Sequence, residues 1–137
     1  MPVLKNNASP TASEVCHHLV WGVKYRRAVL GGDVARRVEA LVREEAARLS
    51  VAVVRVAVAP DHVHVAVRAP ATLPIPRLVN QLKGVSSRRI GQEYPELHRQ
   101  LPHLWAGSYY AGTVDDPAVI AAIAGYIARP GHTADKR

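Results

Sequence analysis

The chain has 137 residues, 48% of them hydrophobic, with 18 Lys and Arg against 11 Asp and Glu for a net charge of +7. That is one domain's length with enough apolar residues for a core, and the basic balance suits a polyanionic partner, nucleic acid first, better than an acidic protein surface. Cys16 is the single cysteine and no stretch approaches roughly 18 consecutive apolar residues, so an internal disulfide, a multi-cysteine zinc site and a membrane partner are excluded, and a cytoplasmic, nucleoid-associated protein is expected.

Residues 1–13 are polar, carry Pro2 and Pro10, lack an apolar segment of signal-peptide length, and are expected to form a flexible lead-in. In "VCHHLVWGVKY", Val15, His17, Leu19, Trp21 and Val23 alternate with Cys16, His18, Val20, Gly22 and Lys24, the period of a strand. "LGGD" breaks it, and Asp33 is placed to cap a following helix. Val34, Val38, Leu41, Val42, Ala46 and Leu49 recur at helical spacing there, with arginines mostly on the other side. "VAVVRVAVAPDHVHVAVRA" is two β-branched runs separated by "APD" and predicts a hairpin. From Pro74 to about Tyr94, Ile75, Leu78, Val79, Leu82, Val85 and Ile90 predict a second amphipathic helix. "HLWAGSYYAGTV" predicts a fourth strand, and "DDPAVIAAIAGYIA" a last helix stopped by Pro130 and Gly131, with residues 130–137 as a tail. Strand, helix, strand, strand, helix, strand is the order of a ferredoxin-like α+β sandwich, here with an added C-terminal helix.

The third strand holds the candidate chemistry. Alternation puts Val63, Val65 and Val67 on one face and His62, His64, Ala66 and Arg68 on the other, expected to be open. The two histidines are then roughly 7 Å apart along the strand, close enough to converge on one metal ion at bonds of about 2 Å. Taken alone, such a pair is more often structural, because two ligands define no geometry.

"HHLVWGVKYRRAVL", "VAPDHVHVAV", "IPRLVNQLKGVSSRRI", "LWAGSYYAGTV" and "AAIAGYIARPGH" occur in an order and spacing that resembles the small HUH single-tyrosine transposases of insertion sequences that move as single-stranded DNA. The resemblance spans residues 17–132 and frames one transposase domain over residues 14–129. It implies a homodimer that binds hairpins at element ends, with His62 and His64 as ligands of Mg²⁺ or Mn²⁺ and Tyr126 as the nucleophile. It also implies a 5′-phosphotyrosine product and a free 3′-hydroxyl, an ester that a second 3′-hydroxyl can attack to rejoin strands. From the residues alone, Val119, Ile123 and Tyr126 share a helix face, so core packing competes with a nucleophile's role for that tyrosine; Tyr109 and Tyr110 are chemical rivals.

Lys83, Arg88 and Arg89 on the second helix, with Ser86 and Ser87, and the cluster Lys24, Arg26 and Arg27 are candidate phosphate contacts; Trp105 and Tyr109 are candidate stacking residues, Trp105 with the stronger expectation of a core position. One position departs from the family pattern. Members carry Gln four residues after the tyrosine as a metal ligand, and Pro130 stands there, leaving His132, His18 or Asp61 as substitutes. The alternatives are a relative that binds hairpin DNA without cutting it, and an RNA-binding module on the same sandwich.

Overall fold

A computed structural model of the chain describes residues 14–113. The expected C-terminal helix with Tyr126, Pro130 and His132, and both expected tails, lie outside the described residues. Within them the order is β1 (Glu14–Gly22), a 3₁₀ turn (Lys24–Arg26), α1 (Gly32–Arg48), β2 (Ala52–Ala59), β3 (His62–Pro70), α2 (Ile75–Glu93), α3 (Pro95–Gln100) and β4 (Tyr110–Thr113).

The strands form one antiparallel sheet in the order β2-β3-β1-β4, so the two central strands are the first and third, as a ferredoxin-like α+β fold requires. On one sheet face Leu19, Trp21, Val63, Val65, Val67 and Ala69 are buried with Val38, Leu41, Val42 and Ala46 of α1 and Leu78, Val79, Leu82 and Ile90 of α2. Removing these side chains from water is the main force holding the helices to the sheet. A bidentate pair of Arg37 with Glu93, at 2.6 and 2.9 Å, ties α1 to the end of α2.

Three expectations are corrected. Asp33 does not cap α1: Gly32 takes a left-handed φ of +54, the helix starts there with Gly31 as its cap residue, and Asp33 falls in the first turn, where it pairs with Arg36. The fourth strand is shorter than "HLWAGSYYAGTV". Trp105 makes one isolated bridge to Val23 and sets its ring edge-on to Trp21 at 5.9 Å, and pairing resumes only at Tyr110. Lys83 holds the intervening chain, donating from Nζ to the Ala106 carbonyl at 2.7 Å. Finally, the histidine face of β3 is not open at its centre: His64 is 1% exposed and Ala66 fully buried. A central strand has β1 and β2 on its flanks, and on this face the ring of His18 leans over it.

α3 was not expected. It packs where α2 carries Gly91, and a Cβ on that residue would meet His98 Nδ1 at 2.9 Å.

Candidate functional site

The β2–β3 turn aims the histidine pair. Its carbonyls are fixed from outside the hairpin: Pro60 accepts from the Leu30 amide at 2.9 Å and Asp61 from the Val23 amide at 2.8 Å. His62 and His64 follow at once on β3, on the face away from the helices. Their cross-strand neighbours are small or short: Gly22 and Ala59 beside His62, Val20 and Ala57 beside His64.

His62 is oriented by a relay of charges. Its Nδ1 lies 2.8 Å from Asp61 Oδ1, while the other carboxylate oxygen accepts from Arg26 Nε at 3.1 Å and Nη2 at 2.8 Å. Burial pushes the Asp61 carboxyl up, but the hydrogen bonds and charges of His62 and Arg26 outweigh it and hold it below its ordinary value. An ionised carboxylate only accepts, so Nδ1 of His62 carries a proton, and Nε2 is the nitrogen left to bind a cation when the ring is neutral. Metal-binding histidines are oriented in this way, with the second nitrogen held by a carboxylate.

His64 has the opposite surroundings. Neither of its ring nitrogens finds a hydrogen-bond partner. Burial, then the charges of His18, Arg55 and His62, pull its pKa down to about 4, so the ring is neutral near pH 7. A buried imidazole without partners is costly, and a cation on one nitrogen would repay part of that cost. The His18 ring sits 5.5 Å from the His64 ring and 5.2 Å from that of Tyr110, and its own Nδ1 is buried without a partner. His62 and His64 therefore fit a divalent cation by chemistry, the first oriented through Nδ1 and the second neutral near pH 7 with neither ring nitrogen engaged. Among the described residues no set of three His, Cys, Asp or Glu side chains converges as a complete site. Asp61 is engaged by His62 and Arg26, which makes it the orienting partner of His62. Sequence reasoning named Asp61 only as a substitute ligand; its position in a tight turn immediately before His62 was the available signal.

The model of the family described as "Transposase IS200 like" matches residues 11–130. The chain belongs to the IS200-like transposase family. The ISDra2 transposase TnpA of Deinococcus radiodurans is 41% identical over 102 residues, 73% of each chain. Among solved structures, a protein of Deinococcus radiodurans assigned as a transposase superposes with a TM-score of 0.74 at 31% identity, over 90% of this chain and 95% of that one. A REP-associated tyrosine transposase bound to a REP hairpin superposes with a TM-score of 0.64 over 90% of this chain and 70% of that one; at 11% identity this likeness concerns the fold alone.

Of the basic candidates on this transposase scaffold, only one cluster adjoins the histidines. Lys24, Arg26 and Arg27 sit on the loop after β1, which is bonded to the β2–β3 turn through Val23, Leu30 and Arg26. Arg88 and Arg89 are on α2, across the sheet from the histidine face; Arg88 is exposed, and Arg89 reaches Glu93 at 3.3 Å. Lys83 is half-buried with its ammonium on the Ala106 carbonyl, and burial lowers its pKa. Ser86 is not available to phosphate: it is buried, donates to the Leu82 carbonyl at 2.6 Å and accepts from Trp105 Nε1 at 3.0 Å. Trp105 is correspondingly in the core, and Tyr109 packs partly against it.

No helix among the described residues is long and apolar enough to cross a membrane.

Proposed function

We propose that this protein is a metal-dependent single-strand DNA transposase that cuts and rejoins the ends of an insertion sequence through a 5′-phosphotyrosine on Tyr126. The observation that carries the reading is the His62–His64 pair, one ring held by Asp61 and the other buried with both nitrogens unpartnered. Membership of the transposase family supports it, and a hairpin at the element end is the expected substrate form.

In this mechanism His62, through Nε2, and His64 would hold Mg²⁺ or Mn²⁺, with imidazole favouring Mn²⁺ of the two. A bound divalent ion supplies Lewis-acid stabilisation of charge on a non-bridging phosphate oxygen. Asp61 keeps the His62 proton on Nδ1, and Arg26 keeps Asp61 ionised. Lys24 and Arg27 offer positive charge beside the site for the strand's phosphates. The Tyr126 phenol gives up its proton as its oxygen attacks phosphorus, the bond from phosphorus to the 3′-oxygen breaks, that oxygen takes up a proton as a 3′-hydroxyl, and the 5′-phosphate stays on the tyrosine. Reversal by another 3′-hydroxyl restores the phenol and joins new strands without ATP. The active unit is a homodimer in the cytoplasm.

Incubation of the protein with a labelled single-stranded element end and Mn²⁺ is expected to give a protein–DNA adduct on a denaturing gel, lost in Tyr126→Phe. Pro130, where the family carries Gln, favours one second reading, a relative that binds hairpins without cutting. Hairpin binding with no adduct under any divalent metal would establish that reading. An RNA-binding module would need an open sheet face, and the burial of His64 and Ala66 speaks against it.

A further inference from the structure

We propose that Tyr25 is a base-stacking residue that receives an unpaired nucleobase beside the histidine pair; the inference rests on the single-strand DNA reading above and specifies one of its contacts.

Tyr25 has φ 60 and ψ 17, and Arg26 follows with φ 55, two consecutive non-glycine residues in the left-handed region. A bulky side chain there is held at an energetic cost, and such positions cluster where structure serves binding or chemistry. Packing offers no compensation, because Tyr25 is 77% exposed. Nor is the loop loose. The Lys24 amide donates to the Leu104 carbonyl at 2.9 Å, the Arg26 amide to Val23 at 2.9 Å, and Val23 to Asp61 at 2.8 Å. The backbone thus presents the phenol ring to solvent from a braced, strained turn.

The surroundings of the ring select the occupant. Lys24 Nζ lies 5.8 Å from the ring centroid, and Arg26 and Arg27 follow in sequence, in a chain of net charge +7. An aromatic platform flanked by cations is the combination that holds single-stranded nucleic acid, the ring taking a base face and the cations the phosphates. Duplex DNA offers no free base face to such a ring. The Arg26–Asp61–His62 relay then connects the loop to the histidine pair, so that a base stacked on Tyr25 places the adjoining phosphates beside it.

Tyr25→Gly removes the ring and relieves the left-handed backbone in one change. The test uses full-length protein with a fluorescent single strand of about 20 nucleotides and the duplex of the same sequence, titrated by anisotropy across a salt series. Single-strand affinity should fall about tenfold in Tyr25→Gly, at an unchanged salt slope, with duplex affinity unchanged and Tm equal to or above that of the parent. Tyr25→Trp should bind the single strand at least as tightly as the parent. Equal single-strand affinity of parent and Tyr25→Gly would overturn the stack alone. So would an equal loss on both DNA forms, or a change of oligomeric state by light scattering that accounts for the loss. A parent protein that binds neither DNA form would overturn the DNA reading itself.

Discussion

Nδ1 of His62 donates to Asp61 at 2.8 Å, and this one bond fixes which nitrogen of the ring can face a cation. Because the carboxylate is itself held by Arg26, the orientation is set by a residue 35 positions away and not by the strand alone.

Asp61→Ala should therefore weaken Mn²⁺ binding by about 10- to 100-fold while the sheet stays folded, the usual cost of losing a partner that orients a metal-bound histidine. Calorimetric titration with Mn²⁺ checks this, with circular dichroism as the folding control. Affinity equal to that of the parent would show that Asp61 does not orient a ligand.

His64 gives the apo protein a pH-dependent stability. Its folded pKa of about 4 lies below the ordinary 6.5, so between those values the unfolded chain takes up a proton that the folded chain refuses. Its contribution is intact above pH 6.5 and declines as pH falls from 6.5 toward 4, by on the order of 3 kcal/mol across the window. His17 and His18, also lowered by burial, act in the same direction, so the His64 share is read as the difference between parent and His64→Asn in urea unfolding at several pH values. Parallel pH profiles for the two proteins would contradict the assignment.

Ser86 is a structural acceptor. Ser86→Ala leaves Trp105 Nε1 buried without its partner and should cost about 1–3 kcal/mol, whereas Ser87→Ala should cost well under that. Thermal unfolding separates them; an equal Tm for both variants would leave the serine–tryptophan bond without energetic weight.

Gly91 tests the docking of α3. Gly91→Ala brings a Cβ to within 2.9 Å of His98 Nδ1, but His98 is exposed and its ring can turn aside, so the clash should offset only part of the roughly 1 kcal/mol the helix gains by losing a glycine. With His98→Ala already present the same substitution should give the full gain, about 1 kcal/mol. A double-mutant cycle with no coupling would refute the contact.

Period-two and period-3.6 patterns made the sheet and its two main helices legible, because Val63, Val65 and Val67, and Leu78, Val79 and Leu82, bury where alternation and helical spacing put them. Tertiary contacts decided the rest. The Trp105 ring is drawn into the core by Trp21 and Ser86, which cut the aromatic strand to four residues. The short helix α3 begins at Pro95, since proline is tolerated at a helix start, and its six residues are too few to show a helical period. At the site, the spacing of His62 and His64 was legible. The burial of His64 was not, because it depends on neighbours such as His18 on another strand, nor was the Asp61 bond to Arg26, which joins two loops.

Mapping the DNA-bearing residue after cleavage tests the central claim most directly. Tyr109, Tyr110 and Tyr126 fall in one tryptic peptide, because no Lys or Arg lies between Arg99 and Arg129, so fragmentation of the nucleotide-linked peptide must localise the phosphate. The account predicts a 5′-phosphate on Tyr126, formed with Mn²⁺ and absent in His64→Ala. A phosphate on Tyr109 or Tyr110, or a Tyr126 adduct formed equally in excess chelator, would contradict it.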